Sequence, residues 1–178
     1  MILTDREILI ALDCGQLAID PQPSADAFAS SSVDLTLSPN GLMWDPPGGI
    51  QVKPGHSDYK YSSIARAFQK AVTTDGYVLL PSTFLLSWTS EKISLPINSR
   101  LAARVEGRSS LARLGIGIHL TAPTIHAGFV GPIQLEMFNF GKFEIVLNSG
   151  MKICQLIFEQ TMGTPQAGYT GQFFDQKP

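Results

Sequence analysis

The chain has 178 residues, 44% of them hydrophobic and 16% charged, which is enough apolar content to offset chain entropy and excludes a largely disordered protein. The length suits one core, so residues 1–178 are read as a single domain. Thirteen Lys and Arg against fifteen Asp and Glu give a formal charge of −2. That balance lacks the broad positive field of a duplex nucleic-acid binder, so any anion site must be local.

No apolar run approaches the roughly 18–20 residues that a bilayer span needs. The opening MILTDREI has neither the basic nor the apolar region of a signal peptide. The expectation is a cytoplasmic protein that binds neither membrane nor nucleic acid. Cys14 and Cys154 are far apart and lack zinc-site spacing, and are read as small buried hydrophobes.

In chain order, Thr4 and Glu7 form a T-x-x-E capping box, Leu3 and Ile8 can staple across it, and Gly15 can end the helix. Asp20 to Ser32, rich in Pro, Ser and Ala, reads as a loop. Val33 to Leu37 alternates as a strand, with Asp34 opposite to Val33 and Leu35. A turn at Pro46 to Gly49 follows. Ile64, Ala65, Phe68 and Ala71 fall at helical spacing and predict a short helix over 62–72. From Tyr77 the chain becomes short β-like runs: Tyr77 to Leu80, Phe84 to Thr89, Leu101 to Val105, Ile133 to Asn139, Glu144 to Leu147 and Met151 to Glu159. This pattern predicts a mainly β sandwich, jelly roll or barrel with short peripheral helices. Residues 161–178 are polar but carry Tyr169, Phe173 and Phe174, which favours an arm that orders over a ligand or a neighbouring subunit.

Four of the six arginines, Arg100, Arg104, Arg108 and Arg113, lie within fourteen residues. Gly107-Arg108-Ser109-Ser110-Leu111-Ala112-Arg113-Leu114-Gly115 adds hydroxyls and flanking glycines. Bidentate guanidinium groups and backbone N–H groups at a tight turn can cradle an anion, although composition alone favours a solvated Arg-rich turn. Between Gly107 and Lys142 the only acidic residue is Glu136. It sits on the face of a strand opposite to Ile133, Leu135 and Met137, where a partly buried carboxylate suits proton transfer and an exposed one is ordinary. His119 and His126 lack the further ligands a zinc site needs.

These segments, with His119-Leu120-Thr121-Ala122, Gly128-Phe129-Val130-Gly131 and Gln134-Leu135-Glu136, closely resemble the central signature of the dCTP deaminases of the dUTPase superfamily. The flanks agree: MILTDREI, Ser31-Ser32-Val33-Asp34-Leu35, and Gly150-Met151-Lys152-Ile153-Cys154-Gln155-Leu156. The resemblance implies a distorted jelly-roll or β-barrel of the dUTPase-like type. It implies a homotrimer with intersubunit sites that converts dCTP and water to dUTP and ammonia without zinc, Mg2+ being carried by the triphosphate.

Carried over by residue, Glu136 would be the proton shuttle and Arg113 its electrostatic support, while Ser109 and the carbonyl of Ala122 would hold the water. Arg108, Ser109 and Ser110 would grip the triphosphate. Leu111, Ala112, His126, Gln134, Leu135 and Gln155 would line the substrate, and Tyr169 and Gln176 would contact it from an arm formed by 161–178. Two positions depart from the family: Gln172 stands where many relatives place a lysine, and His126 where the superfamily commonly has an aspartate. Inhibition by dTTP is left open. The alternatives are a bifunctional enzyme that gives dUMP and a non-catalytic nucleotide-binding regulator.

Overall fold

The computed structural model describes residues 1–121 and 124–168. Helix α1 (Asp5–Asp13) begins where the sequence places it. The Thr4 amide donates to the Glu7 carboxylate at 3.1 Å, and hydrogen bonds from Thr4 hold that carboxyl below its ordinary value. Leu3 and Ile8 both pack on the core. The helix ends in a Schellman motif: Gly15 takes φ +69°, its amide reaches Leu12 O, and the Gln16 amide reaches Ala11 O at 2.8 Å. Cys14, at the C-cap, is exposed. This corrects the expectation of burial, because the apolar stripe of α1 turns its other side to the core. Cys154 is buried, and burial pushes its thiol far up.

Strand β1 (Ala18–Asp20) leads into the segment expected to be a loop, which holds a short 3-10 turn at Ala25–Ala27 and β2 (Phe28–Ala29). Strand β3 (Ser32–Trp44) then runs for 13 residues through the centre of the sheet. Helix α2 (Tyr61–Phe68) is shorter than expected, and β4 (Gln69–Thr73) follows without a break. Ala71 and Val72 fit the helical spacing, yet they pair with Leu42 and Gly41 of β3. Ladder hydrogen bonds to a central strand outweigh a weak local preference.

The remaining strands are β5 (Tyr77–Leu79), β6 (Phe84–Ser94), β7 (Leu101–Gly107), β8 (Ile116–Gly117), β9 (Val130–Asn139), β10 (Ile145–Leu147) and β11 (Lys152–Gln160). A four-residue helix, α3 (Ser109–Ala112), lies between β7 and β8. The main sheet runs β7-β11-β3-β6-β9-β8, antiparallel throughout, with β1 on β6 and with β2 and β4 on β3. It curls into a nearly closed barrel, as the mainly β reading expected. Leu35, Leu85, Leu135, Leu156 and Phe158 fill the interior, each with 0% exposure. At about 1.5–3 kcal/mol per fully buried large side chain, this interior is the main source of cohesion. No helix among the described residues is long and apolar enough to cross a membrane.

Candidate active site

Three neighbouring strands bring one charged cluster together. Asp34 on β3 faces Gln155 on β11 in register, and the Gln155 amide donates to Asp34 Oδ1 at 3.1 Å. On the other edge of β11, Cys154 pairs with Gly107, so β7 delivers Arg108 to the same end of the sheet. Arg108 Nη1 forms an ion pair with Asp34 Oδ2, the two side chains being 29% and 10% exposed. The pair is close but is not an aligned hydrogen bond. This buried nitrogen therefore has its charge matched while its directional bonding is unmet. Lys152 Nζ approaches the same Oδ2 at 3.5 Å.

Arg108 also caps α3. Its carbonyl accepts from the amides of Leu111 and Ala112, both at 3.0 Å, and the Arg113 amide reaches Ser109 O at 3.1 Å. Ser109, Ser110, Ala112 and Arg113 are exposed and Leu111 is half-buried, so this tight turn presents its polar groups outward. Gly115 takes φ +96°, and a Cβ there would collide with the backbone of Gly141. The Phe140 amide reaches Gly115 O at 2.8 Å and fastens the loop to the chain leaving β9. Asn139 holds that chain from below: its amide nitrogen donates to Leu79 O at 2.9 Å and to Phe143 O at 2.8 Å, and its oxygen accepts from Gly141.

On β9 the alternation is as read. Leu135 and Met137 are fully buried, while Gln134 and Glu136 lie half-buried on the opposite face. Glu136 Oε2 accepts the Thr121 amide at 3.0 Å. His126 is exposed and His119 half-buried, both on the stretch between β8 and β9.

The structure narrows the expected anion cradle. Arg104 is engaged by Glu159 at 2.7 Å and Glu106 at 2.9 Å on the outer face of β7. Arg100 ends the 3-10 turn Ile97–Ser99 in a left-handed conformation. Only Arg108 and Arg113 of the four arginines belong to the 107–115 loop. Ala122, Tyr169, Gln172 and Gln176 lie outside the described residues. The place of Lys152 in this cluster has no signal in its local pattern: Lys-x-x-Gln spacing on a regular strand places the two side chains on opposite faces, whereas the register shift between Lys152 and Cys154 brings both to Asp34. A separate apolar cavity of about 290 Å³, lined by Trp44, Tyr59, Tyr61 and Phe68 among others, shares none of these residues.

Residues 2–161 match a family described as dCTP deaminase-like. The chain is 34% identical over 190 residues to a dCTP deaminase of Rhodospirillum rubrum, covering 99% of this chain and 93% of the relative. It is 38% identical over 178 residues to a protein of Aquifex aeolicus named dCTP deaminase, dUMP-forming, covering 99% and 91%. Among solved structures it is similar to a 2'-deoxycytidine 5'-triphosphate deaminase from Agrobacterium tumefaciens, with a TM-score of 0.66 and 24% identity. That match covers 88% of this chain and spans about half, 47%, of the solved one. A dUTPase of Staphylococcus bacteriophage 80alpha has the same fold at a TM-score of 0.51, with 13% identity and 90% and 98% coverage.

Proposed function

The chain belongs to the dCTP deaminase-like family, and on that footing we propose that it hydrolyses the exocyclic amine of dCTP, giving dUTP and ammonia. The observation that carries the reading is the match over residues 2–161, which takes in the whole 107–136 segment.

In this reading Glu136, half-buried on β9 and held by the Thr121 amide, removes a proton from water as the oxygen attacks C4 of the cytosine. The same carboxyl returns protons to the exocyclic nitrogen, the C4–N bond breaks, and ammonia leaves. Arg113 supports the charge that develops at this centre, and Ser109 with the carbonyl of Ala122 orients the water. Arg108, Ser109 and Ser110 hold the triphosphate. Leu111, Ala112, His126, Gln134, Leu135 and Gln155 line the nucleotide, with Tyr169 and Gln176 contributed from the 161–178 segment. The sites are read as lying between the subunits of a homotrimer.

Magnesium arrives on the triphosphate in this reading, and no zinc takes part. Cys154 is sealed in the core and Cys14 sits at the end of α1. Bound magnesium would screen the phosphate charge.

A second reading, in which dUTP is cleaved further to dUMP, is favoured by the dUMP-forming names of relatives such as that of Aquifex aeolicus. His126 in place of the superfamily's aspartate supports the first reading. Phosphorus NMR of the purified protein with dCTP and magnesium decides between them. Ammonia with intact triphosphate is the expected result, and pyrophosphate rising in step with ammonia overturns it in favour of dUMP.

A further inference from the structure

Lys152 is not among the residues assigned above, yet its ammonium lies beside the cluster that holds Arg108. The β3–β11 register places Gln155 opposite Asp34 and Lys152 opposite Thr36, and the irregularity at Ile153 turns both side chains to the Asp34 side. Lys152 and Arg108 thus converge on a single oxygen, Asp34 Oδ2. One carboxylate cannot neutralise two cations, and the balance is supplied by Asp26. Lys152 Nζ donates to the Asp26 carboxylate and to its backbone carbonyl, both at 2.8 Å.

The two carboxylates differ in environment. The Asp34 side chain is 10% exposed, while that of Asp26 is 73% exposed. A pair with so exposed a partner is screened by water and contributes little net stability, so an incoming anion of higher charge can displace it. The Asp34 tether meanwhile keeps the ammonium next to Arg108. Since the chain as a whole is weakly acidic, attraction for a polyanion has to come from cations placed in this way.

We propose that Lys152 is a further triphosphate-binding residue, and that the nucleotide's phosphates take it from the Asp26 carboxylate on binding. The proposal rests on the reading of the 107–115 loop as a triphosphate cradle. A purely structural Lys152, strapping the Ala25–Ala27 turn to β11, predicts different behaviour in solution.

The test is calorimetric titration of the unaltered protein and of Lys152→Met, Lys152→Arg and Asp26→Ala with dCTP, inorganic tripolyphosphate and deoxycytidine at constant magnesium. Lys152→Met is expected to weaken dCTP and tripolyphosphate about tenfold or more, as the loss of one charge-assisted hydrogen bond does, with deoxycytidine unchanged and Lys152→Arg close to the parent. Asp26→Ala removes the competing carboxylate and is expected to tighten both polyphosphates several-fold. Where Lys152→Met fails to fold, the Asp26→Ala result decides alone. The proposal is overturned if Lys152→Met binds both polyphosphates as the parent does, if Asp26→Ala leaves them unchanged or weaker, or if the unaltered protein binds neither. Binding of tripolyphosphate without binding or deamination of dCTP rejects the deaminase reading and leaves the role of Lys152 to be judged on the tripolyphosphate titrations.

Discussion

The Thr121 amide and the Glu136 carboxylate are joined by a hydrogen bond of 3.0 Å. It ties the only acid between Gly107 and Lys142 to the stretch leading out of β8, so the carboxylate has a fixed direction before any substrate arrives.

Glu136→Gln keeps the acceptor for the Thr121 amide and removes the group that takes up a proton. Nucleotide binding should be retained and ammonia release from dCTP should fall by about 10²–10⁴, the usual contribution of a positioned acid–base group. An ammonia assay beside a dCTP titration checks this, and a rate near that of the parent would show that Glu136 does not move the proton.

Arg108→Ala should weaken dCTP far more than deoxycytidine, because a guanidinium recognises phosphate and not the base. Asp34 keeps Lys152 and Gln155 as partners, so folding survives the change. An equal loss for both ligands would place Arg108 outside the phosphate contacts.

Deamination should persist in a zinc-selective chelator and fall when magnesium is withdrawn, since the hard cation accompanies the triphosphate. Elemental analysis of active protein is the direct check, and stoichiometric zinc would contradict the mechanism.

Gly141→Ala brings a Cβ onto the carbonyl oxygen of Leu114. Backbone atoms cannot yield as a side chain does, so the 107–115 loop must shift, and overpacking of this kind generally costs about 1–3 kcal/mol. Thermal melting should show the loss, and kcat should fall along with it because Arg113 lies on the displaced loop.

The Asp26–Lys152 contact carries its own pH dependence. The hydrogen bond from Lys152 is the largest cause holding the Asp26 carboxyl down at about 2, and the bond to Asp26 raises Lys152 above its ordinary value. A depressed acid contributes stability above its unfolded value of about 3.9, lost as pH falls through the folded value. A raised base contributes below about 10.4 and loses that contribution at higher pH. The contact is therefore complete between about pH 5 and 9. The affinity ratio of Asp26→Ala to parent for tripolyphosphate should be flat across that window, and a ratio that changes steadily across it would mean that other groups control the contact.

What the sequence discloses follows the range of the interactions concerned. The capping box at Thr4 and Glu7 and the turn at Gly15 depend on residues a few positions apart, and they appear as read. The strand bearing Glu136 is equally legible, since its alternation persists through Met137. Helix α2 ends before its helical spacing does, because Ala71 and Val72 are claimed by Leu42 and Gly41, some thirty residues earlier. Arg100 and Arg104 look like members of the cradle along the chain, but the direction of β7, with Glu106 on that strand and Glu159 on β11, takes Arg104 elsewhere. Nothing in the local pattern around Lys152 announces the irregularity that turns it toward Asp34.

The position of β11 has a consequence for the making of the protein. It is inserted between β7 and β3, although some forty-five residues separate its start from the end of β7. During synthesis the ribosome releases β3 and β7 well before the strand that joins them, leaving two long unpaired edges open to wrong partners in a nascent chain. Closure is a late event built on contacts distant in sequence, a topology that folds slowly. A chain stalled before Lys152 would lack Gln155 and Lys152 and also the strand that joins β7 to the rest of its sheet, so partial products should be aggregation-prone and empty of nucleotide.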